Sequence, residues 1–471
     1  MRPWLLVSLL YCVSTAHGNE SALDALEVQI ESSRSEHKVP AVGVLLVDKH
    51  GMLFSKVWGT ADVTSKRPAN KQTIFRIGSV TKAFTGLTFL ALNQKNLLPL
   101  DHVLSNGDRP LPFQNPWQKT QPITVEMLLE HTAGLADMTS PEWDHADQKP
   151  LTLQEAFAID PKSRRMRWQP GKHSSYTNTG AGLAAWAAEQ QLQKPFEELM
   201  QEFVFSPLGM KSATLFLTKD VEQHLATGYQ ADGKTVIPYW NMIYRPFGAM
   251  NIRLDDMEPF LRLLLNRGEH NGNSLLSKQS VERMEVPHTT LAARSGLEYG
   301  YGFGNYQWYR NGLLFHGHGG DGDGYLAHYG YNLDTNLGYF VVINAFNHRP
   351  LREMRDTLER FIVGGKKTPI PVEAFELKRD RRESLLGDYT QVTQRFVGRG
   401  RVTFHGHAEE GVRMYRRGPA RRIGFPADVG ARVEQLILYH LRPGQYDGSW
   451  SDSAVRRFVR EVGPGMQDLL D

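Results

Sequence analysis

The chain has 471 residues, 41% of them hydrophobic and 22% charged, with a formal net charge of +3. That length holds one large core and a smaller domain, at roughly 100 to 200 residues per domain. Neither sign of charge dominates, so bulk charge gives no drive toward nucleic acid or an anionic membrane surface.

The first eighteen residues have the pattern of an export signal, with Arg2 at the start, an apolar run from Trp4 to Val13, and Ala16-His17-Gly18 as a small-x-small cleavage site. The mature chain is expected to begin near Asn19 and to be secreted or periplasmic. The apolar run is shorter than the about 20 residues that a spanning helix needs, and no later stretch reaches that length, so no transmembrane segment is expected in the mature chain. The single cysteine, Cys12, falls inside this segment, which leaves the mature chain without disulfides or cysteine metal sites. Lipid attachment at Cys12 is the alternative, and Tyr11 before it fits that poorly.

Apolar residues at helical spacing predict a helix from Leu23 to His37. Strands are predicted at Ala41 to Val47 and Met52 to Trp58, around the turn Asp48-Lys49-His50-Gly51. The pattern turns helical from Val80 to Leu92, and again at Val125 to Leu129, Ala181 to Gln190, Phe196 to Phe203 and Met257 to Leu265. Strand signals return at Tyr301 to Trp308, Leu313 to His316, Tyr325 to Tyr331 and Leu337 to Ile343, followed by a helix from Leu351 to Ile362. A sheet assembled from both ends of the domain, with helices inserted between, follows from this order.

Gly364 to Pro371 reads as a linker, and beyond it the composition changes. From Pro371 to Asp471 there are 16 Arg and 1 Lys against 14 acidic residues. Short alternating runs at Val402 to His405 and Leu436 to Leu441 predict a small β-rich module. It is either a packing domain with a solvated basic face or a surface for anions or substrate gating.

Three segments carry chemistry. In Gly78-Ser79-Val80-Thr81-Lys82 a serine opens a helix and a lysine follows one turn on, about 5 to 6 Å apart at Cβ, so the amine reaches the hydroxyl. A serine becomes a useful nucleophile only when a neighbouring base takes its proton. The helix start adds a backbone N–H and a positive dipole end for an oxyanion. The spacing alone does not single out Ser79, because Ser35-Glu36-His37-Lys38 matches it too. In Ser175-Tyr176-Thr177-Asn178, after Pro170-Gly171 and before a helix, a phenol and an amide can point into one cleft; Tyr239-Trp240-Asn241 matches but opens no helix. In Phe315-His316-Gly317-His318-Gly319-Gly320-Asp321-Gly322-Asp323-Gly324-Tyr325, dense glycines let a strand edge approach a ligand, with His318 as hydrogen-bonding group or switchable charge, or as a structural histidine.

These segments, in this order, resemble the serine β-lactamase and penicillin-binding-protein superfamily, and within it the class C β-lactamase-like branch of D-alanyl-D-alanine carboxypeptidases and esterases. Ser-x-x-Lys would be Ser79 to Lys82, Tyr-x-Asn would be Tyr176 to Asn178, and Lys/His-x-Gly would be His318 to Gly320. Leu128-Leu129-Glu130-His131-Thr132-Ala133-Gly134-Leu135 is flanking support, and the likeness spans about Leu23 to Ile362. It implies an α+β fold, an antiparallel sheet flanked by helices beside an all-helical subdomain. The expected division is residues 1–18 as signal peptide, 19–365 as the β-lactamase-like serine hydrolase domain and 366–471 as a C-terminal β-rich accessory domain.

The resemblance also implies acyl transfer. Ser79 would attack a carbonyl, with Lys82 and Tyr176 moving the proton in a coupled pair whose base stays unassigned. Asn178 would orient the substrate amide, and the N–H groups of Ser79 and Asp321 would hold the oxyanion. Substrate contacts are thus expected from Asn178, His318, Gly319, Gly320 and Asp321, with no cofactor or metal and a small-molecule or peptide substrate. His318 stands where β-lactamases place a lysine, and its charge is partial at neutral pH with an ordinary pKa of about 6.5. Asp321 and Asp323 would repel an anionic substrate, so neutral or cationic esters and peptides are expected ahead of β-lactams. Arg76 is expected to brace the fold. A zinc reading of His316, His318 and Asp321 fails on spacing and on a missing further ligand. A catalytically silent binding protein on the same fold is the alternative.

Overall fold

The computed structural model describes residues 5–105, 111–143, 149–364, 394–397 and 401–404, of which 5–20, 140 and the last two segments are described by their backbone alone. The main strands are β1 (Ala41–Asp48), β2 (Met52–Asp62), β3 (Arg67–Pro68), β4 (Tyr306–Arg310), β5 (Leu313–Gly322), β6 (Tyr325–Asn332) and β7 (Leu337–Ile343). The helices that place the site are α1 (Leu5–Glu36), α2 (Thr81–Gln94), α3 (Val125–Leu129), α4 (Thr179–Leu192), α5 (Met257–Leu265) and α6 (His348–Val363).

β1 carries no polar side chain before Asp48, the pattern of a strand covered on both faces. It lies inside a seven-stranded sheet of order β4-β5-β6-β7-β1-β2-β3. Its antiparallel pairing with β7, Val42 opposite Ile343 and Leu45 opposite Phe340, joins the two ends of the domain. Strand alternation sends Val42, Val44 and Leu46 to one face, against Leu26 and Ile30 of α1 and Met354 and Leu358 of α6. Leu45 and Val47 go to the other face, where Phe260, Leu261 and Leu264 of α5 cover them. Each such side chain contributes about 1.5 to 3 kcal/mol by leaving water. The mixed fold, with helices on both faces of an antiparallel sheet, is the one expected from the motifs.

α2 is buried at every residue from Thr81 to Leu92, Lys82 and three threonines included. Its hydroxyls stay satisfied: Thr85 donates to Pro246 O at 2.7 Å and Thr88 to Phe84 O at 2.9 Å. The remaining cover comes from the helical part of the chain that includes α3 and α4. Among the described residues no helix is long and apolar enough to cross a membrane.

Three boundaries differ from the expectation by five residues or more. α1 runs back to Leu5, through the segment read as an export signal. β4 begins at Tyr306 and not at Tyr301, because Gly304 takes a φ of +63 and brings this stretch against the backbone of Lys82 and Ala83. β5 continues through the glycine-rich segment to Gly322, since β6 pairs with it throughout, Gly319 opposite His328. The residues beyond Val372 form a second unit, in which Gln394–Val397 and Arg401–Phe404 pair antiparallel. The strand expected at Leu436 to Leu441, and the linker from residue 365 on, lie outside the described residues.

Candidate active site

Two backbones in close approach place Ser79. Gly78–Val80 form a 3-10 turn leading into α2, and this turn lies against β5. Gly78 has a φ of +53, and a Cβ there would come within 2.5 Å of Asp321 O. A Cβ on Gly320 would stand 1.9 Å from Ile77 O. Glycine at both positions is what lets the turn and the strand touch, and Ser79 is thereby set beside His318 to Asp321.

One turn on, Lys82 is 4% exposed. Its Nζ donates to Ser79 Oγ at 3.0 Å, to Asn178 Oδ1 at 2.7 Å and to Phe247 O at 3.1 Å, which engages all three ammonium protons. Burial lowers its pKa from the ordinary 10.5 to about 7, against the opposing pull of the Asp137 carboxylate. An amine of that basicity is part-deprotonated at neutral pH and can accept the Ser79 proton.

Tyr176 faces Lys82 across its ring at 4.7 Å, and its phenol is hydrogen-bonded with Ser79. Burial raises the pKa of this phenol and the Ser79 bond draws it down. The phenol therefore keeps its proton at neutral pH. Asn178 stands at the start of α4 but makes no cap bond to its own helix. Its Oδ1 accepts from Lys82, and its Nδ2 donates to Asp137 Oδ2 at 3.2 Å. The amide expected to clamp substrate therefore clamps Lys82 first, keeping one N–H and one lone pair for a ligand.

His318 corrects an expectation. Its Nδ1 donates to Gly319 O, so Nε2 is the acceptor, and the Tyr301 hydroxyl donates to it at 2.8 Å. Burial, and then the nearby Lys82 charge, push its pKa down to about 3. His318 is a neutral hydrogen-bonding group near pH 7, where the sequence reading held open a partial, switchable charge. Asp321 brings its backbone to the turn at Gly78, whereas its side chain is 60% exposed and reaches His348 Nε2 at the start of α6, at 3.8 Å. Its charge is still felt at the Tyr176 phenol. Asp323 accepts from Trp240 Nε1 at 2.9 Å.

The two decoy motifs stay apart from this cluster. Ser35 is exposed and donates to Glu31 at 3.1 Å. Tyr239 lies over the Arg76 guanidinium at 4.0 Å, and Arg76, 1% exposed, donates to Trp240 O at 2.7 Å, as a bracing residue should.

Sequence reasoning missed six contributors. Asp137 holds the start of α4. Tyr301 donates to His318 Nε2. Tyr306 accepts the Gly319 backbone N–H beyond the end of β4, and its hydroxyl is 3.1 Å from Nε2 of the neutral His328. His328 Nδ1 is 3.0 Å from Tyr339 OH, which donates to the buried Glu359 at 3.0 Å. Every donor in this chain points toward the carboxylate, and the chain ties the strand edge beside Ser79 to α6. No local motif reveals it, because its members lie on three different strands and on α6.

The sequence profile of the Beta-lactamase family matches residues 23–363. The Staphylococcus aureus (strain MW2) protein flp is 26% identical over 349 residues, 73% of this chain and 67% of that protein. The octameric penicillin-binding protein homologue from Pyrococcus abyssi superposes with a TM-score of 0.60 at 24% identity, over 77% of this chain and 81% of that one. The D-amino acid amidase from Ochrobactrum anthropi SV3, solved with L-phenylalanine amide, superposes with a TM-score of 0.56 at 21% identity, over 71% and 99%. With the profile spanning most of its length, and Ser79, Lys82, Tyr176 and His318 gathered in one cluster, the chain belongs to the beta-lactamase family, whose members are generally serine hydrolases.

Proposed function

We propose that the chain is a secreted serine hydrolase that forms a covalent acyl-enzyme at Ser79 and cleaves uncharged or cationic amides and esters, D-amino-acid amides and peptides among them. The observation that carries this is Lys82: a buried amine 3.0 Å from Ser79 Oγ with a pKa near 7. Ser79 Oγ attacks the carbonyl carbon as its proton passes to the neutral Lys82 amine. Tyr176, protonated and bonded to Ser79, relays a proton to the departing amine or alkoxide. Water then adds to the acyl carbon, its proton returns by the same groups, and the acid leaves. The backbone N–H groups of Ser79 and Asp321, adjacent across the Gly78 contact, are suited to the oxyanion.

The substrate preference rests on charge. Where a lysine would attract a carboxylate, His318 is neutral, and Asp321 adds a negative field. The amidase neighbour supports amides of D-amino acids as the first substrates to try. Secretion rests on Arg2, the Trp4 to Val13 run and Ala16-His17-Gly18.

The test is active-site labelling with a fluorophosphonate, located by mass spectrometry, beside burst kinetics with a chromogenic ester. Label on Ser79 with a burst supports the reading, and Ser35→Ala should behave as wild type. Label on another residue overturns it, and an intact protein giving neither signal is a binding protein on this fold.

A further inference from the structure

Asp137 lies 41 positions before Asn178, in the loop after α3, yet its carboxylate is the anchor of the α4 start. Oδ1 accepts from Asn178 N at 2.7 Å, from Thr179 N at 3.3 Å and from the Thr179 hydroxyl at 3.4 Å; Oδ2 accepts from Asn178 Nδ2 at 3.2 Å. The carboxylate thus supplies the cap that Asn178 does not give its own helix, where a negative group is favoured by the helix dipole.

We propose that Asp137 is a positioning residue for acylation, fixing which way the Asn178 amide faces and, through it, what surrounds and holds the Lys82 amine. This rests on the reading of Ser79 as nucleophile and Lys82 as its partner. The orientation follows from what each neighbour can do. An ionised carboxylate only accepts and an ammonium only donates, so the amide must present Nδ2 to Asp137 and Oδ1 to Lys82. Flipping it would set oxygen against oxygen and N–H against N–H. The Asn178 Oδ1 bond to Nζ, at 2.7 Å, then holds Lys82 beside Ser79. The charge acts in parallel. Burial drives Lys82 toward the free amine, and Asp137 opposes it. Without Asp137 the amine would be free at lower pH but less well aimed.

The experiment titrates the Lys82 Nζ by NMR in full-length, 15N-lysine-labelled protein, with Lys82→Met identifying the signal, for wild type, Asp137→Asn and Asp137→Ser. Asparagine keeps the shape without the charge, and serine keeps a helix cap without it, so one variant stands in if the other fails to fold. The Lys82 midpoint should fall by about one unit in either variant. Fluorophosphonate labelling of Ser79 should slow at least about tenfold, with the acid limb of its pH profile moved the same way. An unchanged midpoint overturns the proposal, leaving Asp137 a plain helix cap. Wild-type protein that takes no label at Ser79 would sink the nucleophile reading, while the titration would still decide the case of Asp137.

Discussion

The Tyr301 hydroxyl donates to Nε2 of His318 across 2.8 Å, and with Nδ1 turned to Gly319 O the imidazole has both nitrogens occupied while neutral. Protonating it would place a second donor against the Tyr301 hydroxyl, inside a buried site that already holds Lys82. His318→Gln should therefore change substrate affinity without removing any pH step between about 5.5 and 7.5. A step in that range belongs to Lys82, whose pKa is about 7. Ester hydrolysis rates of both proteins over that range decide it, and loss of the step in the variant would return the charge to His318.

Tyr176 is held by its ring as well as its hydroxyl, with centroids 4.4 Å from His131 and 5.9 Å from Tyr301. Tyr176→Phe keeps both ring contacts and deletes only the group bonded to Ser79. Stability should stay within about 0.5 kcal/mol of wild type, while Ser79 labelling slows by about 10²- to 10⁴-fold. Unchanged labelling would leave Lys82 as the sole proton carrier for acylation.

Two neighbouring glycines should respond in opposite ways to one methyl group. On Gly320 it would stand 1.9 Å from the backbone oxygen of Ile77, which has no rotamer to escape into. On Gly319 its nearest neighbour would be His328 Cδ2 at 3.5 Å, an ordinary contact. Gly320→Ala should lose about 1 to 3 kcal/mol and push the Ser79 turn from β5, abolishing labelling, whereas Gly319→Ala should unfold at the wild-type denaturant midpoint. Equal midpoints for the two variants would mean that turn and strand are not packed as described.

What the sequence made legible was local in the chain. Ser79 and Lys82 share one helical turn, Tyr176 and Asn178 share one turn before α4, and His318 with its glycines stands in one strand. Their order was enough to assign the fold. The surroundings were not legible, because they come from residues brought in by tertiary contact. Tyr301, which bonds His318 Nε2, sits in a stretch that reads as strand but departs from the sheet at Gly304. Asp137 meets Asn178 only when the loop after α3 packs on the start of α4. The glycine run of β5 reads as a turn by composition. Its extended course comes from pairing with β6 and from the close contact with Ile77 and Gly78, neither of which leaves a periodic trace.

The same amine that serves Ser79 should make the fold more stable as pH rises. Lys82 is buried, with a folded-state pKa near 7 against an ordinary 10.5 in the unfolded chain. Below about 7 both states hold the proton, and the fold bears the whole cost of the enclosed ammonium. Between 7 and 10.5 the unfolded chain holds the proton and the folded protein has released it, so stability rises with pH across that window. At about 1.4 kcal/mol per pKa unit the full effect is a few kcal/mol. Lys82→Met removes the titration but orphans Asn178 Oδ1 and Phe247 O, a loss of about 1 to 3 kcal/mol that does not vary with pH. The absolute difference between the proteins can thus take either sign at pH 6, while its slope cannot: wild type must gain on the variant steadily from pH 7 to 10. Urea midpoints measured at pH 6, 7, 8 and 9 read that slope directly, and parallel curves would mean that Lys82 keeps its proton in the fold and cannot be the base at neutral pH.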